Sequence, residues 1–250
     1  MKSTDALYTN LATKNVEKSH DNSPLLSILC ITYNHEKYIG QALDSFLAQR
    51  TTFPIEIVIG EDNSHDATMS VINQYKIKYP GLFKIVTSPA NVGVVENFRR
   101  TLKECSGKYI AICEGDDYWT DDQKLQKQVE FLENNPEFVI TYHDAHAFNE
   151  VGILKEAQLP AKFQCDADAN DLLNARQIST LTVCFRKVLP EIPFEFDQAP
   201  ILDLCLWSLL GSFGKGKYLK SVKPAAYRIH QGGVISSQNR DNKIRMTMHT

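Results

Sequence analysis

Apolar residues follow two alternating rhythms along the first part of the chain. Short continuous apolar runs at 25–32 (LLSILCIT), 55–60 (IEIVIG), 82–88 (LFKIVTS), 108–113 (KYIAIC) and 138–142 (FVITY) read as strands buried on both faces. Between them apolar residues recur at three- and four-residue spacing, as on one face of a helix. The first such stripe is Tyr38, Ile39, Ala42, Leu43, Phe46 and Leu47; the second is Met69, Ile72 and Tyr75. Val95, Phe98 and Leu102 form the third, and Leu125, Val129 and Leu132 the fourth, with 120–123 (TDDQ) reading as a capping box that opens it. Strands alternating with helices predict an α/β, Rossmann-like unit with a mainly parallel sheet flanked by helices.

Beyond residue 143 the pattern is less regular. It predicts a short helix near 168–175, a strand at 180–186 (TLTVCFR) and a loop from Pro190 to Pro200. An apolar helix follows at 201–210 (ILDLCLWSLL), and 217–222 (KYLKSV) with 225–230 (AAYRIH) reads as a terminal pair of strands. Residues 1–23 are polar and aperiodic, a flexible N-terminal arm, so the expected organisation is one domain over 24–250.

Composition narrows the class. A chain of 250 residues has room for one sizeable domain and needs no disulfide or metal staple. Lys and Arg number 27 against 30 Asp and Glu, a net −3, which argues against a dedicated nucleic-acid binder. No apolar run reaches the ~18 residues of a membrane span, and the opening MKSTDALYTN lacks a signal-peptide core, so a cytoplasmic protein is expected. Cys30, Cys113, Cys184 and Cys205 have apolar neighbours and no CxxC occurs, so the cysteines read as small buried hydrophobes.

In an open parallel sheet, ligands gather beyond the carboxyl ends of the strands. The residues after strand one, Thr32, Tyr33, Asn34 and His35, contain no GxGxxG and no GxxxxGK[ST], which removes the dinucleotide and P-loop classes. The glycine-rich 211–217 (GSFGKGK) lacks the phosphate-loop spacing and reads as a turn. After strand two comes 61–66 (EDNSHD); Asp62 suits hydrogen bonding to a base or ribose, and Ser64 or Asp66 suits capping of the next helix. After strand four, Glu114, Asp116 and Asp117 crowd three carboxylates at a strand mouth. Such a cluster fits either an acidic turn or a hard cation, Mg²⁺ or Mn²⁺, bound with a substrate diphosphate.

Three ordered blocks, SILCITYNHEKYIGQALDSFLAQ, EIVIGEDNSHDAT and NVGVVENFRRTLKECSGKYIAICEGDDYW, together with the terminal YRIHQGGVIS, resemble glycosyltransferase family 2, the GT-A type nucleotide-sugar transferases, over about residues 24–238. The resemblance implies a nucleotide-sugar-binding half at 24–142 and an acceptor-side half at 143–250. Thr32, Tyr33 and Asn34 would line the nucleotide pocket, Asp62 would accept from uracil N3–H, and Asn91 and Gly93 would lie beside the nucleotide. Glu114, standing where Asp is usual, would approach the ribose. Asp116 would hold ribose and metal, and Asp117 would ligate the metal.

It also implies a catalytic base on the helix-opening segment of the second half, where Asp203 is the single acid between Pro200 and Asp241. The apolar run around Asp203 would raise its pKa and suit it to accept a proton. His230 would be a further metal ligand and Arg228 a phosphate contact. His143 and His146, spaced HxxH, lack a third zinc ligand and suit acceptor contact better.

The combined expectation is an inverting hexosyltransferase that uses Mn²⁺ or Mg²⁺. It would move sugar from a UDP-sugar to a saccharide or lipid-linked saccharide in cell-surface polysaccharide or lipopolysaccharide synthesis, at the inner face of the membrane. Lys215, Lys217, Lys220 and Lys223 would suit either peripheral contact with that membrane or a solvated surface. A nucleotidyltransferase or a non-catalytic nucleotide- or glycan-binding subunit are the alternatives.

Overall fold

The computed structural model describes residues 23–189, 192–193 and 201–233. The expected N-terminal arm, apart from Ser23, most of the Pro190–Pro200 loop and the end of the YRIHQGGVIS block lie outside the described residues.

The alternation of apolar runs and stripes appears as β1 (Leu26–Thr32), α1 (Ile39–Leu47), β2 (Ile55–Glu61), α2 (Thr68–Lys78), β3 (Phe83–Val86), α3 (Val94–Glu104), β4 (Tyr109–Ile112), α4 (Lys124–Asn134) and β5 (Phe138–Tyr142). After them come β6 (Ala145–Asn149), β7 (Gly152–Lys155), α5 (Ala169–Leu173), β8 (Cys184–Arg186), α6 (Leu202–Gly211), β9 (Lys215–Tyr218) and β10 (Ala225–Arg228). A seven-stranded sheet runs β3-β2-β1-β4-β8-β5-β9. Its members are parallel except β8, which lies antiparallel between β4 and β5. A second sheet, β10-β6-β7, stands beside it.

The strands are apolar on both faces because both faces are covered. Leu26, Ile28, Cys30, Ile57 and Ile59 pack with Ile39, Leu43 and Phe46 of α1 and Leu125 and Val129 of α4. Leu29, Val58, Ile110 and Ile112 pack with Phe98 and Leu102 of α3 and Leu206 and Trp207 of α6. β8 and β9 complete the large sheet, so the two halves share one scaffold. Cys30, Cys113 and Cys184 are buried and Cys205 is half-buried, all as free thiols. Among the described residues no helix is long and apolar enough to cross a membrane.

Two local expectations are corrected, and one hairpin is added. The TDDQ segment is not a capping box: α4 begins at Lys124, behind Gln123. The Thr120 hydroxyl instead donates to Pro224 O at 2.6 Å, and the Asp121 carboxylate accepts from Gln123 N, Lys223 N and Lys127 Nζ. These bonds tie the loop to the approach to β10; a capping box stands at α5, between Asp168 and Asp171. The last two strands do not pair with each other. β9 lies parallel to β5 and β10 parallel to β6, because residues 219–224 carry the chain from one sheet to the other. The β6–β7 hairpin was not predicted, since AHAFN and GILK carry no continuous apolar run, and all four β7 residues are exposed.

Candidate active site at the carboxyl ends of the strands

The parallel register of β1 with β2 and β4 brings three loops together at one edge. Asn34, with a left-handed φ of 55°, donates its N–H to Ser64 Oγ at 2.9 Å and accepts from His65 N with Oδ1 at 2.9 Å. Asp66 accepts from Glu36 N, and Glu36 in turn accepts from Ala67 N. The loops after β1 and β2 therefore brace one another, with Asp66 in a structural role. Tyr33 stands exposed beside them, its ring 6.3 Å from that of His65.

The two acids of EDNS divide their work. Glu61 accepts from Asn63 N and Ser64 N and shapes its own loop. Asp62, buried and 3.4 Å from the Arg100 guanidinium, accepts from Val92 N at 2.9 Å and Gly93 N at 3.0 Å. Asn91 Nδ2 donates to Asp62 O at 3.2 Å. Asp62, Asn91 and Gly93 thus form one unit; Oδ1 accepts from both Val92 N and Arg100 NH2, while Oδ2, with Gly93 N as its donor, keeps a further lone pair for an incoming donor. Gly93, at φ 84°, adopts the left-handed conformation that starts α3.

The acidic loop after β4 depends on Gly115. Its N–H donates to Ile31 O, and a Cβ there would fall 2.5 Å from Thr32 Oγ1 and 2.9 Å from Ile39 Cδ1. This close passage aims the neighbouring carboxylates in different directions. Asp116 Oδ2 lies 2.9 Å from His230 Nε2 and 3.8 Å from His35 Nε2. One ligand atom each from His35, Asp116 and His230 falls within 4.8 Å of the others, the kind of grouping that accepts a divalent ion.

Of the metal set read from the sequence, only part comes together in this grouping. Asp116 and His230 do meet, but Asp117 is outside the group and His35 is inside it. The Asp117 carboxylate is buried and turned to accept Arg228 N at 2.7 Å, holding β10 in place. Arg228 donates through Nε to Asp116 O and through NH2 to Gln41 Oε1, with its guanidinium 4.7 Å from the Tyr38 ring and 4.5 Å from Phe148. Its evident work is to bind β10, α1 and the acidic loop together.

The carboxylates differ electrostatically. Burial acts to raise the Asp116 carboxyl, but the hydrogen bond from His230 and the fields of His35 and His230 outweigh it and hold it below its ordinary value. Burial, then the charges of Asp116 and Glu114, raise Asp117 well above the carboxylate range. Glu114 has a sealed Oε2 with no hydrogen-bond partner, and burial followed by the charges of Asp116 and Asp203 pushes it up to about 8. Raised Glu114 and Asp117 carboxyls beside a lowered Asp116 let one cluster hold several carboxyls.

Asp203 arrives from the second half, in the first turn of α6. Its Oδ2 accepts from Thr180 Oγ1 at 2.6 Å and its Oδ1 from Leu204 N at 2.9 Å; burial raises its carboxyl. Tyr227 feels Asp117, Asp116, Glu114 and Asp203 together, and burial with these charges raises its phenol, keeping it a protonated donor. His35, Gln41, Thr180 and Tyr227 were not singled out from the sequence. His35 carried the one readable signal, a histidine at a strand exit opposite an acidic loop. His143 is buried with Nδ1 2.8 Å from Asp144 O, and among the described residues neither it nor His146 joins a metal-type group. Lys217 is paired with Asp166.

Residues 27–189 match the family model described as Glycosyl transferase family 2. An uncharacterized protein of Mycobacterium tuberculosis is 42% identical over 221 residues, 87% of this chain; the chain spans 62% of that relative's length. The Escherichia coli UDP-Glc:alpha-D-GlcNAc-diphosphoundecaprenol beta-1,3-glucosyltransferase WfaP is 28% identical over 217 residues, covering 86% of this chain and 81% of its own. Among solved structures, S. aureus TarS 1-349 in complex with UDP-GlcNAc superposes with a TM-score of 0.64 at 19% identity, over 86% of this chain and 61% of TarS 1-349. The mannosyltransferase PcManGT from Pyrobaculum calidifontis, in complex with GDP-Man and Mn²⁺, gives 0.61 at 15% identity, over 98% and 69%.

Proposed function

The chain belongs to glycosyl transferase family 2 and has its GT-A fold, and from that premise we propose that it is an inverting, metal-dependent transferase using a UDP-sugar donor. The observation that carries this reading is the convergence of Asp62, Asp116 with His230, and Asp203 at one edge of the sheet, from segments far apart in sequence. The acceptor is a hydroxyl of a saccharide or lipid-linked saccharide in polysaccharide assembly at the cytoplasmic face of the membrane. The diphosphoundecaprenol-linked acceptor in the name of WfaP supports that choice.

Thr32, Tyr33 and Asn34 line the nucleotide pocket, and Asp62 accepts from the uracil N3–H beside Asn91 and Gly93. Glu114 lies on the ribose side of the acidic loop. Asp116 and His230 hold Mn²⁺ or Mg²⁺; the grouping of one carboxylate with imidazoles fits such an ion, which would supply charge neutralisation on the diphosphate. Arg228 adds positive charge beside the Asp116 backbone. Asp203 takes the acceptor proton as the acceptor oxygen bonds to the anomeric carbon. The bond to the diphosphate breaks on the opposite face, and its electron pair leaves with UDP. Burial suits Asp203 to this work by making it a stronger base than an exposed carboxylate.

A thermal-shift panel of UDP- and GDP-sugars, each with and without Mn²⁺, tests the donor assignment. A UDP-sugar with Mn²⁺ should raise Tm most. A larger shift with GDP-sugars would overturn the uridine assignment.

A further inference from the structure

Two histidines face one carboxylate oxygen, and a hydrogen-bond account uses only one of them. His230 Nε2 lies 2.9 Å from Asp116 Oδ2, a normal hydrogen-bond distance, whereas His35 Nε2 lies 3.8 Å from the same oxygen, beyond one. Yet His35 is firmly aimed. Its Nδ1 sits 3.2 Å from Thr32 Oγ1, its N–H donates to Thr68 Oγ1 at 2.8 Å, and its carbonyl accepts from Tyr38 N and Ile39 N at the start of α1. Fixing one ring nitrogen on a neighbour so that the other points into a shared space is how metal-bound histidines are held.

We propose that His35 is a third protein ligand of the divalent ion held by Asp116 and His230, forming a two-imidazole, one-carboxylate site that favours Mn²⁺ over Mg²⁺. The inference rests on the metal site of the transferase reading and extends it to ligand number and ion choice. Ligands bound at ~2.0–2.2 Å to one ion stand ~3–4 Å apart, so the observed spacing, within 4.8 Å, closes with small side-chain movements. The three side chains are 14%, 16% and 11% exposed, sheltered yet reachable. Imidazole nitrogen suits a transition ion, whereas Mg²⁺ takes oxygen ligands and gives up water reluctantly. His35 also follows the Thr32–Asn34 segment, so the metal ligands and the proposed nucleotide contacts share one braced loop.

Isothermal titration of the full chain with MnCl₂ and MgCl₂ without nucleotide, together with pulsed EPR of the Mn²⁺ complex, tests the assignment. The wild type should show two coordinated imidazole nitrogens and tighter binding of Mn²⁺ than of Mg²⁺. His35→Ala and the more conservative His35→Asn should each show one imidazole and at least about tenfold weaker Mn²⁺ binding. One imidazole in the wild type, unchanged Mn²⁺ affinity in folded variants, or tighter Mg²⁺ binding would overturn the proposal. If neither variant folds, the wild-type nitrogen count decides alone. A two-imidazole signal in a protein that turns over no nucleotide sugar would sink the transferase reading and leave this one standing.

Discussion

Replacing Asp203 with Asn separates catalysis from folding. Asn keeps the volume and an acceptor for the Thr180 hydroxyl but cannot take a proton at neutral pH. Asp203 is half-buried, and Thr180 and Leu204 N fix the orientation of its carboxylate. Loss of a general base costs about 10²–10⁴-fold, or about 2.7–5.4 kcal/mol at the transition state, and Asp203→Asn should fall within that range. Removing a half-buried charge that has no ion-pair partner among the described residues should leave Tm unchanged or higher, and UDP binding in the presence of Mn²⁺ should be preserved. Thr180→Val then tests the tuning. The hydroxyl makes a charge-assisted bond, typically ~1.5–3 kcal/mol, that partly offsets the effect of burial. Without it the carboxyl titrates at higher pH, so the base form is populated later and the acidic limb of the kcat/KM profile moves to higher pH. Nucleotide-sugar turnover followed across pH checks both variants. Asp203→Asn activity within tenfold of wild type, or a Thr180→Val limb moving to lower pH, would refute the reasoning.

Asp116 and Asp117 should behave differently although adjacent. Asp116→Asn should abolish Mn²⁺-dependent UDP binding in titration calorimetry, whereas Asp117→Asn, whose side chain holds Arg228 N, should retain Mn²⁺ affinity. Gly115→Ala would press a methyl against Thr32 and Ile39 and should cost about 1–3 kcal/mol by urea denaturation, with loss of metal binding as the acidic loop shifts. Burial first, and the charge of Lys124 second, push the His143 imidazole well below its ordinary value, so it stays neutral in the fold. The unfolded chain takes up that proton near pH ~6.5, so this group's contribution to stability falls with pH below that point, by up to ~1.4 kcal/mol per pH unit. His143→Leu should flatten the pH dependence between pH 7 and 5.5 relative to wild type.

The central parallel strands and their helices were legible because β1, β2, β4 and β5 are buried on both faces and each helix on one, which imprints distinct periods on the apolar residues. β8 was legible as a strand, but not as an antiparallel insertion between β4 and β5, since pairing partners leave no mark in a three-residue strand. The acidic loop was visible as a crowded strand exit. Which of its carboxylates faces the cluster was not, because two contacts between distant parts of the sequence decide that: Asp117 with Arg228 N, 111 residues apart, and Gly115 with Thr32 of β1. His35 escaped for a related reason: its partners Asp116 and His230 come from β4 and the end of β10, and only the folded sheet edge brings the three within reach. Asp203 stood out in the sequence as an isolated acid in an apolar run, and the fold places it in the first turn of α6 with its carboxylate held by Thr180 and Leu204 N.

The most direct test of the central claim is release of UDP from UDP-sugars by the purified chain, measured with saccharide and lipid-linked acceptors and with water alone. The account predicts UDP release that requires Mn²⁺ or Mg²⁺, stops with EDTA, returns when the ion is restored and is lost in Asp116→Asn. Release indifferent to EDTA and to Asp116→Asn, or none from any UDP-sugar while the ion is bound, would contradict it.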